Sequence, residues 1–197
     1  MSAVSPQTAS KASNNHVCPW WLAYTFDNPI RRLLHPAAKL LKDYVYEGMS
    51  VLDIGCGFGH FSIGMARLVK DTGSVTALDI QEKMLEKTRV RAEKQGVGHR
   101  IQTRLARTSE TDFQGPYDFV LASNVLHEMP DPAGAAHAVA ASLKPEHLLY
   151  AMEPAGHVNE NTFETELDEF KKAGFTEVAR PRVIKERCAI LRAPSGS

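Results

Sequence analysis

Between residues 51 and 61 the chain reads VLDIGCGFGHF. One carboxylate, Asp53, rides in an apolar run that opens into a turn where Gly55, Gly57 and Gly59 alternate with Cys56 and Phe58. Glycines in that pattern leave the backbone bare, so a ligand can come close to main-chain amides. A dinucleotide fingerprint would carry its third glycine one residue later, where this chain has His60, and no Gly-Lys-Ser/Thr follows to make a P-loop. About twenty residues beyond the turn, Asp79 closes a second apolar run, where a carboxylate can accept both hydroxyls of a ribose. Cys56 resembles a nucleophile only by type; a small residue filling a tight turn is the better reading. Further along, His127 and Glu128 follow the run YDFVLASNVL, and Glu153 and His157 follow or end HLLYAMEP. Imidazole and carboxylate at those places suit contact with a substrate, with His127 and Glu128 able to serve as the base for an oxygen or nitrogen acceptor; the alternative is solvated loop residues. Trp20, Trp21, Tyr24 and Phe26 form an aromatic stretch broken by Pro19 and Pro29, which reads as a hydrophobic plug or as a lid over the substrate. His16 and Cys18 form an H-x-C pair that, with His157, could take a transition metal or a soft acceptor such as a thiol or metalloid. Their spacing matches no zinc pattern, and the expectation is no metal.

These residues need elements to hold them, and the chain supplies strands and helices in alternation. SVLDIG reads as a buried strand and HFSIGMARLVKDTG as a helix closed by Gly73. SVTALDI is a second strand, followed by a helix from about Gln81 to Gly96. RIQTRLA is a third strand and YDFVLASNVL a fourth. Asp131-Pro132 then opens a helix that ends near Lys144. HLLYAMEP is a fifth strand, NTFETELDEFKKAG a helix stopped by Gly174, and FTEVARPRV with RCAILRA a terminal strand pair. Ahead of them, Ala37, Leu40, Leu41, Tyr44 and Val45 recur at helical spacing between Pro36 and Gly48. Such alternation predicts an α/β fold with a doubly wound, mostly parallel sheet of about seven strands, helices on both faces and an antiparallel terminal strand. Ligands of such sheets bind beyond the carboxyl ends of the strands, where the glycine turn falls.

The chain of 197 residues, 43% apolar, is long enough for one domain with a real core. Residues 1–15 read as a disordered tail, 16–35 as an aromatic arm or lid, and 36–197 as the ligand-binding domain. Lys plus Arg and Asp plus Glu balance at 23 each, which gives no bulk field for nucleic acid or an acidic membrane. No run is apolar enough to span a membrane and no signal peptide is evident, so a cytoplasmic location is expected. The three cysteines Cys18, Cys56 and Cys188 form no C-x-x-C pair or disulfide framework.

VLDIGCGFG followed by VTALDI, with GPYDFVLASNVLHEMPDP and LKP further on, resembles the class I S-adenosylmethionine-dependent methyltransferases, closest to small-molecule enzymes of the quinone-biosynthesis type. The resemblance covers residues 36–197 and implies a Rossmann-like sheet, here with an N-terminal helical arm, and S-adenosylmethionine as cofactor. It implies that Gly55, Cys56, Gly57 and Gly59 pass close to the methionine portion, with Asp53 setting the loop and the amino group. Asp79 would hold the ribose, Ile80 would pack on the adenine, and Asn124 and Val125 would line the far side. Where the family has an acidic residue for the adenine amino group, this chain has Arg107. Ala106 and Arg107 would then serve through main-chain groups, or Glu110 or Asp112 would substitute. A small-molecule acceptor follows, its reacting atom being O, N, S or C. A nicotinamide-dependent oxidoreductase is disfavoured by the glycine spacing, and a non-catalytic S-adenosylmethionine-binding regulator stays open.

Overall fold

The computed structural model describes residues 36–106 and 113–196. The tail and aromatic arm, including His16, Cys18, Trp20, Trp21, Tyr24 and Phe26, lie outside these residues, as do Arg107, Glu110 and Asp112.

Seven strands form one sheet: β1 (Ser50–Ile54), β2 (Ser74–Asp79), β3 (Ile101–Leu105), β4 (Tyr117–Ser123), β5 (Leu143–Pro154), β6 (Thr176–Ala179) and β7 (Glu186–Arg192). Their order is β3-β2-β1-β4-β5-β7-β6. The first five are mutually parallel, and β7 runs antiparallel between β5 and β6. Side chains alternate across the sheet, so each strand feeds two cores. Leu52, Val120, Leu149 and Leu191 face the helices α4 (Pro132–Ser142) and α5 (Glu160–Lys172). Val51, Val75, Phe119, Leu121, Tyr150 and Ile190 point the other way, with α1 (Ala37–Leu41) and α2 (His60–Val69), while Leu85 of α3 (Glu82–Lys94) meets Ala77 and Cys56. Right-handed crossovers between parallel strands leave helices on both faces in this way.

Local chemistry sets the helix starts. Asp131 accepts the Gly134 amide ahead of Pro132, and Asn159 accepts the Thr162 amide. The helix expected over residues 36–48 is shorter than its apolar spacing implies: α1 stops at Leu41. There the Tyr46 hydroxyl takes the Asp43 carbonyl at 2.6 Å, and Gly48 turns with φ of 85°. The Tyr46 amide turns to Met49 Sδ at 3.3 Å rather than to the Lys42 carbonyl that would continue the helix. The fourth strand likewise ends at Ser123, and Leu126–Glu128 is a single turn of 3-10 helix. No helix among the described residues is long and apolar enough to cross a membrane.

Candidate active site

The strand order lays the chemistry along one edge. At the carboxyl ends of β2, β1, β4 and β5, adjacent in that order, stand Asp79, the glycine turn, Asn124 to Glu128, and Glu153.

All three glycines of the turn have positive φ, from 53° to 72°, but they serve different ends. A Cβ at Gly55 would lie 2.7 Å from Val125 Cγ2, and one at Gly59 would lie 2.6 Å from Thr88 Cγ2. Those two glycines permit close packing of the turn on its neighbours. A Cβ at Gly57 would meet nothing within 4 Å, so among the described residues this glycine opens onto free space. Cys56 turns the other way, buried with Ala77 and Leu85, and burial pushes its thiol well above the ordinary range. It is packing, and a poor nucleophile.

Asp79 is buried and accepts the Gly57 amide and the Gln81 amide, each at 2.9 Å. An ionised carboxylate has about four acceptor sites, so the amides of Gly57, Gln81 and Ile80 leave capacity for a ligand hydroxyl. Burial raises its pKa, against the pull of those amides. Asp53 is 1% exposed. Ser62 gives it a hydroxyl at 2.5 Å and also its amide in the first turn of α2. Desolvation nonetheless lifts its pKa to about 7, helped by the charge of Asp79. The N-cap residue of α2, Gly59, offers no side-chain cap, and the positive end of the helix faces the turn. Ile80 stands exposed beside Asp79, and Ala106 anchors next to it through its amide to the Asp79 carbonyl at 2.9 Å. Asn124, with φ of 57°, ends β4 by donating its amide to the Met152 carbonyl at 2.7 Å.

The other half of the edge is built on Glu153. This side chain is fully buried and accepts the Val125 amide at 3.1 Å and the Leu126 amide at 2.7 Å through one oxygen. Its other oxygen meets His127 Nδ1 at 2.6 Å. The contact fixes the imidazole with Nδ1 carrying hydrogen and raises the His127 pKa, the partial burial of the ring working against it. Glu128 lies 3.9 Å from His127 Nε2. The exposed His157 ring stands edge-on to His127, centroids 5.1 Å apart. Expected as a substrate residue, Glu153 is instead enclosed, and its contact toward the carboxyl edge of the sheet is His127. Glu166 of α5 was not among the expected residues, yet it is buried in the same cluster with both carboxyl oxygens lacking a hydrogen-bond partner. Its place among Phe163, Leu167 and Phe170, on the core-facing side of an amphipathic helix, is the sequence signal that marks it. No group of three or more His, Cys, Asp or Glu among the described residues is arranged to hold a metal ion. His157 belongs to no such group, and His16 and Cys18 lie outside the described residues.

A turn with an open glycine, a carboxylate with spare acceptor capacity and the positive end of a helix together fit a nucleoside carrying an amino-acid portion. Comparison with known proteins agrees. A family model described as a methyltransferase domain matches residues 46–188. The ubiquinone biosynthesis O-methyltransferase of Caulobacter vibrioides is 36% identical over 107 residues, 53% of this chain and 40% of that protein. The protein of the same description from Xanthomonas euvesicatoria is 29% identical over 162 residues, 75% of this chain and 65% of its own. The chain thus spans between 40% and 65% of the length of these relatives. A crystal structure of a SAM-dependent methyltransferase from Aquifex aeolicus superposes with a TM-score of 0.76 at 22% identity, covering 88% of this chain and 97% of that one, and shares the fold. On the match over residues 46–188, the chain belongs to the class I S-adenosylmethionine-dependent methyltransferases.

Proposed function

We propose that the protein methylates a hydroxyl oxygen of a small molecule, with His127 as the general base. The observation that carries this reading is the contact chain joining the two halves of the site. Val125 packs against Gly55 of the cofactor turn, Glu153 holds the Val125 and Leu126 amides, and the next residue, His127, is bonded to the same carboxylate. A base is thereby fixed beside the cofactor turn.

Bound S-adenosylmethionine supplies a methyl group on a sulfonium, which leaves as a neutral thioether without acid assistance. The protein's own residues supply position and proton transfer. Asp79 offers its remaining acceptor sites to the ribose, the α2 start takes the carboxylate, and Asp53 answers the amino group across the turn. The open face at Gly57 leaves room for the donor to approach the main chain of the turn. His127 takes the acceptor's hydroxyl proton at Nε2, while Glu153 keeps the Nδ1 hydrogen in place and stabilises the cation that forms. Glu128, on the Nε2 side, is placed to orient the acceptor or pass the proton on. The names of the relatives support oxygen as the acceptor atom. A thiol would need no such base, because its own ionisation lies near neutrality.

The test is release of S-adenosylhomocysteine with hydroxylated aromatics and with thiols as acceptors. Hydroxyl methylation should fall about 10²- to 10⁴-fold in His127→Ala. Thiol methylation untouched by the substitution, with no hydroxyl methylation by the wild type, would overturn the reading.

A further inference from the structure

Glu166 is 7% exposed, and neither oxygen has a hydrogen-bond partner. A buried carboxyl without donors keeps its proton unless some charge nearby compensates its loss. The neighbouring charges are specific. Glu153 of β5 pushes against ionisation of Glu166, and His127 favours it. Glu128 flanks His127, and His157 packs its ring on it. From β7, Arg187 is opposite Glu153 in register, but its guanidinium is occupied by the Val158 carbonyl at 2.8 Å and by Glu160. Arg180 is taken by Glu164 and Glu177. On α4, His137 is exposed and bonded to the Ala133 carbonyl. No cation of this set is given to Glu166, which leaves His127 as the positive charge that answers it.

Two arrangements of the cluster therefore hold the same number of protons. In one, Glu153 is charged, His127 neutral and Glu166 protonated. In the other, Glu166 has given up its proton and His127 carries one. Only the first leaves Nε2 free to accept a proton from the substrate.

We propose that Glu166 is a positioning residue that governs whether His127 is a base: with its own proton in place it leaves the imidazole free, and on ionising it draws a proton onto the ring and silences it. This inference rests on the reading of His127 as the base, yet its physical content is separable from turnover. Burial lifts Glu166 to about 7, so near neutral pH its carboxyl and the His127 ring compete for a single proton.

The experiment is a nuclear magnetic resonance titration of the histidine side chains in the whole protein without acceptor. The His127 signal is assigned by its loss in His127→Ala. Glu166→Gln mimics the protonated carboxyl, and Glu166→Met is a second variant that fills the space without charge. In either, the His127 midpoint should fall by about half a pH unit or more, since adjacent charges of this kind titrate as a coupled pair. The acidic limb of kcat/KM should move to lower pH by the same amount. A midpoint shift without movement of the rate limb keeps Glu166's hold on His127 and removes His127 from the chemistry. A His127 midpoint within about 0.2 units of wild type in both variants overturns the proposal.

Discussion

Two buried carboxylates, Asp53 on the side proposed for the cofactor and Glu153 on the side proposed for the acceptor, sit two strands apart at the same edge of the sheet, and their surroundings differ. Glu153 has three donors from three successive residues, Val125, Leu126 and His127. Asp53 depends on Ser62 and is lifted to about 7. A carboxylate with a full set of donors has its charge compensated by the fold itself, so its role is architectural. One served by a single residue has its charge only partly met, and a ligand's cation can complete it. Glu166, with no donors at all, stands at the end of that series.

The comparison breaks most visibly at Glu153. Glu153→Ala strands two buried amides and frees His127, so a loss of about 3 kcal/mol is expected, a fall in Tm of roughly 6 to 12 °C for a chain of this size. Glu153→Gln should retain more stability, since its amide oxygen can still accept from Val125 and Leu126, yet lose the charged partner of His127 and most of the turnover. Thermal melts and initial rates on the same preparations separate the two effects.

The glycine turn gives the next largest effect and sharpens the contrast within the cofactor half. Gly57→Val should abolish binding of S-adenosylhomocysteine, because it fills the only face of the turn glycines found open among the described residues, at a positive φ that costs about 1 kcal/mol. Gly55→Ala and Gly59→Ala should act first on stability, through their clashes with Val125 and Thr88. Calorimetric titration beside thermal melts checks the division, and equal loss of binding and stability at all three positions would erase it.

On ligand affinity Asp53 gives the smallest effect, and it is a pH dependence. Its folded-state pKa, about 7, lies above the ordinary 3.8, so the unfolded chain gives up this proton first. The unliganded fold should therefore lose stability as pH rises from about 4 to about 7 and change little beyond. A ligand ammonium beside Asp53 favours the ionised form. Affinity for S-adenosylhomocysteine should rise up to about tenfold between pH 6 and pH 7.5, with proton release visible in buffers of different ionisation enthalpy. Asp53→Asn should flatten that rise.

The two halves were unequally legible in the sequence. Gly55, Gly57, Gly59 and Asp79 lie within 25 residues of one another, and their spacing alone predicts a turn and a ribose acceptor. What the spacing conceals is that Gly55 and Gly59 are spent on packing, since Val125 and Thr88 reach them only in three dimensions. His127 and Glu153 were legible as residues following neighbouring strands, but their bond spans 26 positions and depends on β4 pairing with β5. Glu166 escaped because a glutamate in a charged helix reads as solvent-facing unless its phase against Phe163, Leu167 and Phe170 is followed. The early end of α1 escaped for a related reason, because the turn of the Tyr46 amide to Met49 leaves no trace in the apolar spacing.

The central claim is that this edge is divided, with Asp79 and the glycine turn holding the cofactor and His127 serving the acceptor. Calorimetric titration of S-adenosylhomocysteine into Asp79→Ala and His127→Ala, side by side with wild type, tests it most directly. Asp79→Ala should bind more than about tenfold more weakly, as befits loss of a charged acceptor worth about 1.5 to 3 kcal/mol. His127→Ala should bind within about twofold of wild type while losing turnover. Undiminished affinity in Asp79→Ala, or an equal loss in both, would contradict the division.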